Sequence, residues 1–97
     1  MEFKFRVETE CTLDIDFQKL FNFVSTDAGI VNPTNSDDLN YIYSHFGDNI
    51  SWFLEHLYKD EPNSGIVSEM VWDEMNDATL DYIWEEFGKW MDETYKF

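Results

Sequence analysis

Residues 80–97 read LDYIWEEFGKWMDETYKF. At 100° per residue, Leu80, Ile83, Trp84, Phe87, Trp90, Met91, Thr94 and Tyr95 fall on one arc of a helix. Asp81, Glu85, Glu86, Lys89, Asp92, Glu93 and Lys96 fall on the other, and Tyr82 is the only aromatic residue among them. Each buried aromatic ring withdraws about 150–250 Å² from water, so the Trp-rich arc should form a main wall of the core. Extending the same phase backwards would bury Asp73. The spacing therefore predicts a helix break near Asn76 and Asp77, with either residue as cap.

Charge gathers around the same stretch. From Glu69 to Glu93 there are nine carboxylates and one cation, Lys89. On a helix this net charge of −8 would occupy at most ~36 Å, one charge per ~4.5 Å. One DNA strand carries a charge about every 3.4 Å.

Upstream, residues 2–9 alternate. Phe3, Phe5 and Val7 would share one face of a strand, and Lys4, Arg6 and Glu8 the other. Backbone groups of a strand need a partner. The candidates are residues 28–31, residues 66–72, or a second copy of the chain. Asp14 reads as the N-cap of a helix over 15–25, with Phe17, Leu20, Phe21 and Val24 as its stripe. Residues 26–35 read as a loop.

Ser36 is the next candidate cap, followed by Asp37 and Asp38 at the positive end of a helix dipole. The stripe Leu39, Ile42, Tyr43, Phe46 repeats eleven residues later as Ile50, Phe53, Leu54, Leu57. Tyr41/Trp52, His45/His56 and Asp37/Asp48 repeat at the same offset. Eleven residues are three helical turns, which predicts one helix over 37–59, kinked at Gly47–Asp48 or else broken there into two. Residues 60–65 (DEPNSG) read as a turn, and residues 66–75 as a helix or, alternatively, a second strand.

Ninety-seven residues with 43% hydrophobic and 19% aromatic content suit a single domain over 1–97. The expected fold is α+β, mostly α: one N-terminal strand, alone or paired with a second short strand, and three or four helices around an aromatic core. Twenty-one acids against six bases give a net charge of −15. Such a surface repels nucleic acid and anionic lipid and attracts basic partners. The lone Cys11 suits a reducing compartment, and its acidic neighbour Glu10 discourages a thiolate. The charged N-terminus is unlike a signal peptide, and no apolar run approaches the ~20 residues of a membrane span. The expectation is a soluble cytoplasmic protein.

Catalytic and cofactor chemistry finds little support. His45 and His56 stand on the polar side of their stripe with no H-E-x-x-H and no Cys/His cluster, so they read as solvated surface histidines. There is no nucleophile elbow, phosphate loop or dinucleotide fingerprint. Residues 60–71 place Gly65 where a calcium loop needs it, but Pro62 and Val71 stand where ligands are required. No enzyme, cofactor or metal is expected.

The acidic arc has two readings. As a solvated face it is supported by Glu85–Lys89 and Asp92–Lys96, i,i+4 pairs worth ~0.2–0.5 kcal/mol each. The pairs Asp77/Asp81 and Asp81/Glu85 cost a similar amount, and Asp92 and Glu93 sit at the unfavourable end of the helix dipole. No cation occurs between Gly65 and Gly88. The second reading is imitation of phosphate: carboxylates held where the Lys and Arg of a nucleic-acid-binding protein would meet a backbone. The candidate partner-binding residues are Glu69, Asp73, Asp77, Asp81, Tyr82, Glu85, Glu86, Asp92 and Glu93. The expected partner is a basic nuclease or a CRISPR or restriction component, as for phage anti-restriction and anti-CRISPR proteins, with which the chain shares size and charge only. An immunity protein against a basic nuclease toxin, and an adaptor that homodimerises through the N-terminal strand, are the alternatives.

Overall fold

The computed structural model describes residues 2–7, 9–58 and 77–97, with 5–7 and 9–12 described by their backbone alone. The elements run β1 (Glu2–Val7), β2 (Thr9–Asp14), α1 (Phe17–Asp27), α2 (Ser36–Asp48), α3 (Ile50–Tyr58) and α4 (Asp77–Thr94). The fold is α+β and mostly helical, as the periodicities predict. The turn expected at 60–65 and the segment 66–75, with Glu69 and Asp73, lie outside the described residues.

Among the described residues the first strand pairs with a segment outside the three candidates, of which residues 66–72 lie outside the described residues. Its partner is the next segment of chain: β1 and β2 form an antiparallel hairpin with Phe3 opposite Leu13 and Glu2 opposite Asp14. Residues 28–31 form no strand. Cys11, Leu13 and Ile15 alternate with Thr12, Asp14 and Asp16, a period-two pattern that the reading of Asp14 as a helix cap overrides. The pairing of β2 satisfies the backbone of β1 locally. Phe3 and Leu13 both point into the core, at 2% and 0% exposure.

With Asp14 in the hairpin, the cap of α1 moves two residues on. Asp16 accepts hydrogen bonds from the backbone N–H of Gln18 and Lys19 at 3.0 and 3.2 Å. The helix thus runs two residues later than expected, and Ile15 between the two aspartates is buried. The Asp16 backbone N–H also donates to the Tyr58 hydroxyl at 3.0 Å, tying the start of α1 to the end of α3. At the other end Gly29 adopts φ +80°, the left-handed conformation that closes many helices. The Ile30 N–H then reaches back to the Ser25 carbonyl at 2.9 Å.

The cap of α2 is Asn35 rather than Ser36. Its side chain accepts from the Asp38 N–H at 2.9 Å, while Asp38 reaches back to the Thr34 N–H at 2.9 Å. Of the predicted helix over 37–59, the described residues to Tyr58 divide into two helices, the second of the two arrangements that the eleven-residue echo allows. Asn49 is the division. Its N–H donates to the Phe46 carbonyl and its own carbonyl accepts from Phe53, both at 3.1 Å. One non-helical residue (φ −147°, ψ 48°) thus ends α2 and opens α3.

The inner faces of all four helices meet the hairpin in one core. Its largest fully buried side chains are Phe46, Phe53 and Phe87, with Leu13, Ile15, Leu20, Ile42, Leu54 and Ile83 between them. Phe87 of α4 stands within 4.9–6.4 Å, centroid to centroid, of Phe46, Phe17 and Phe21. Replacing it empties the centre of the core. Phe87→Ala should cost about 3–5 kcal/mol, read as a lowered urea midpoint with an unchanged slope.

The α2–α4 contact is set by two glycines. A Cβ on Gly47 would lie 2.6 Å from the Trp84 ring, and one on Gly88 would lie 2.7 Å from the Tyr43 ring. Those rings stack on each other at 4.5 Å and 14°. The Trp84 indole N–H donates to the Tyr43 carbonyl at 2.8 Å, so the indole has little freedom to retreat. Alanine would add up to ~1 kcal/mol of helix propensity at Gly47. Overpacking against a pinned ring costs ~1–3 kcal/mol. Gly47→Ala should therefore lower the melting temperature despite the better helix former.

Candidate functional site

The acidic arc belongs to α4, whose opposite stripe, Ile83, Phe87 and Met91, is buried. Burial of that stripe, together with the Tyr43–Trp84 stack, fixes the rotation of the helix about its axis. Asp77, Asp81, Glu85, Asp92 and Glu93 are all exposed.

Helical geometry sorts these residues into two rows. Asp77, Asp81, Glu85 and Asp92 fall within ~80° of one another, along ~22 Å of helix. Tyr82, Glu86 and Glu93 form the second row, and Lys89 projects between the two. Its ammonium lies 3.3 Å from Glu86 and 3.9 Å from Glu85. The hydrogen bond that Lys89 donates to Glu86, and then the charges of Glu86 and Glu85, hold the lysine above its usual pKa, so it stays a cation. Among the described residues, Asp77, Asp81, Asp92 and Glu93 form no ion pair. The expected Asp92–Lys96 pair is absent there, because the helix ends at Thr94 and Lys96 lies past it.

The rows differ in how freely they face outward. Glu86 is drawn in, with its side chain 19% exposed. Tyr82 is 48% exposed, yet its ring meets Phe3 edge-on at 5.6 Å, so it joins α4 to the hairpin as well as facing outward. The first row is the more open of the two. It borders two clefts toward α2 and α3: one of about 300 Å³ with Glu85 and Asp92 on its wall, and one of about 510 Å³ with Asp77 and Asp81.

Of the nine residues picked from sequence, the structure thus places seven on one helix and concentrates the openly anionic ones in the first row. Glu69 and Asp73 lie outside the described residues.

The histidines are less passive than surface histidines. His45 Nε2 sits 2.8 Å from Asp27 Oδ2, and its ring stacks on Tyr41 and meets Phe53 edge-on. His56 stacks on Trp52 at 4.2 Å, and its Nδ1 donates to the Trp52 carbonyl at 2.8 Å. The eleven-residue echo is therefore a repeated structure, an aromatic ring followed four residues later by a stacked imidazole. In the sequence the echo predicts helical phase, but not this ring packing. Among the described residues, no three His, Cys, Asp or Glu side chains converge as a metal site would require. No described helix is long and apolar enough to cross a membrane.

The field of the first row is felt at Tyr43. Burial, then the charges of Glu85 and Asp92, push its phenol above the ordinary value of 10.0. Both causes disfavour the phenolate in the folded chain, so the unfolded chain gives up this proton first. Stability from this source is intact below pH ~10 and is lost as pH rises through the folded value. Tyr43→Phe should flatten the alkaline fall of stability in urea titrations, and Glu85→Gln with Asp92→Asn should bring the Tyr43 ionisation down toward its ordinary value in absorbance titrations.

No protein-family model matches the chain, and neither a curated protein nor a solved structure matches it either.

Proposed function

We propose that the chain is an acidic inhibitor that works in the cytoplasm, that of the host if it is phage-encoded. It occupies the nucleic-acid-binding surface of a basic protein, a nuclease or a restriction or CRISPR component. The observation that carries this reading is the first row of α4. Asp77, Asp81, Glu85 and Asp92 stand exposed along one line of a helix whose rotation is fixed by its buried side. A nucleic-acid-binding protein presents Lys and Arg to a line of phosphates. A line of carboxylates on a preorganised helix offers those cations the same charge without a further ordering cost. The net charge of −15 adds long-range attraction that speeds encounter with a basic partner.

Folding alone gives little reason for this arrangement. Asp77/Asp81 and Asp81/Glu85 repel at helical contact spacing, each pair costing ~0.2–0.5 kcal/mol. Asp92 and Glu93 add negative charge at the negative end of the helix dipole. Among the described residues, Lys89 pairs with Glu85 and Glu86 only. A partner that neutralises the row would relieve this repulsion, so the unfavourable charge becomes part of the binding energy.

The reading is tested in cells that carry a restriction or CRISPR system directed against an incoming plasmid. Expression of the chain should raise plasmid establishment. The variant Asp81→Lys/Glu85→Lys/Asp92→Lys/Glu93→Lys, shown by circular dichroism to remain folded, should give no protection. In lysates the bound partner should be basic, and it should be displaced both by duplex DNA and by rising salt as screening shortens. Protection that survives in the folded lysine variant, or a partner indifferent to DNA, overturns the proposal.

A further inference from the structure

The second surface that stands out lies on α2 and α3. Tyr41 and Trp52 are large rings left 55% and 42% exposed. They are held rigidly all the same. Trp52 meets Phe23 and Phe53 edge-on at 6.1 and 5.0 Å and stacks on His56. Tyr41 stacks on His45, which is itself pinned by Asp27 and by Phe53. The buried Phe53 thus lies beneath both aromatic–imidazole pairs and fixes one against the other. Rings that are immobilised before binding lose little side-chain entropy when something settles on them.

The charge around the rings limits what that can be. Helices α2 and α3 carry Asp37, Asp38, Asp48 and Glu55 and no lysine or arginine. Trp52 is also a wall of the 510 Å³ cleft, where Asp48 and Glu55 face Asp77 and Asp81 across from α4. A second copy of this chain would bring a further net charge of −15 against this acidic surface. Anionic ligands are disfavoured in the same way. An arginine side chain suits both features: its planar guanidinium stacks on an aromatic ring and donates in a fork to carboxylates, whereas lysine offers only a point charge.

We infer that the aromatic surface of α2 and α3 docks an arginine-bearing segment of a basic protein. Trp52 is the main stacking platform and Tyr41 a second one, and the carboxylates of the adjoining cleft receive the guanidinium. The inference rests on the reading of a basic partner given above and adds to it the side chain by which that partner is recognised. The cleft adjoins the first row of α4 at Asp77 and Asp81, so one partner can engage both surfaces.

The probes are two synthetic peptides of equal length, one of arginine and one of lysine, titrated into the full chain by calorimetry. The arginine peptide should bind about tenfold more tightly, and the Trp52 indole N–H should shift in ¹⁵N spectra as it binds. Tyr41→Ala, which loses an exposed ring, should narrow the preference. Trp52→Leu, which keeps apolar contact with Phe23 and Phe53, should abolish it, and melting temperatures would verify that both variants are folded. Glu85→Lys/Asp92→Lys/Glu93→Lys should weaken both peptides alike and leave the preference in place. Equal affinity for the two peptides, or a preference untouched by Trp52→Leu, overturns the inference. So does sedimentation showing a dimer that Trp52→Leu dissociates. If the preference fails while reversal of the α4 charges still weakens binding, only the arginine site is lost. If the preference holds while that reversal changes nothing, it is the role of the acidic row that fails.

Discussion

The reciprocal fit of Tyr43 and Trp84 sets how the last helix lies on the rest of the molecule. Each ring rests where a glycine on the facing helix leaves room, Trp84 against Gly47 and Tyr43 against Gly88. The rings stack, and the indole N–H closes the contact on a backbone carbonyl. A stack of two rings is worth ~0.5–1.5 kcal/mol beyond the area it buries. Its geometric effect is larger than that figure suggests. It fixes α4 in both distance and rotation, and every exposed carboxylate on that helix takes its direction from it.

This contact also explains how so much charge is carried by a small chain. The buried stripe Ile83, Phe87 and Met91 joins an aromatic core in which Phe87 touches rings from both α1 and α2. Apolar burial is worth roughly 25 cal/mol per Å² and is not weakened by surface charge. Repulsion between exposed carboxylates is screened by solvent and costs tenths of a kcal/mol per helical pair. The core term wins by a wide margin, so the surface can hold a net charge unfavourable to folding. Tyr43 records the coupling between the two: burial in the packing contact, and then the carboxylates beside it, raise its pKa.

How much could be read beforehand depended on whether the signal was local. The apolar arc of 80–97 was legible because six of its residues, Leu80, Ile83, Trp84, Phe87, Trp90 and Met91, recur at helical spacing, and all six are buried or half-buried. The candidate surface was legible for the same reason, since the polar arc is the complement of the apolar one. The second strand was not. Cys11, Leu13 and Ile15 alternate with polar residues as a strand would, but the cap-like Asp14 competes with that signal, and pairing with the adjacent β1 decides it. Asp14 and Asp16 are equally good caps by residue type, and the hairpin decides between them by claiming Asp14. A break near Gly47–Asp48 was one of two outcomes open to the sequence, but the choice between them was not legible, because the eleven-residue phase continues across it. The repeated aromatic–imidazole pairs were visible as an echo, but their exposure and their shared contact with Phe53 were not.

By itself, then, the sequence determined the helical class, the polarity of each helix face and the sign and density of the surface charge. Periodicity and composition act over a few neighbouring residues and need no tertiary partner. Tertiary structure decided which segment pairs with the first strand, where α2 ends and α3 begins, which carboxylates align and which are drawn in, and which rings stay exposed. Those outcomes depend on contacts between residues distant in sequence, such as Tyr43 with Trp84 and His45 with Asp27. Whether such contacts form depends on packing across the whole core, which no local pattern encodes.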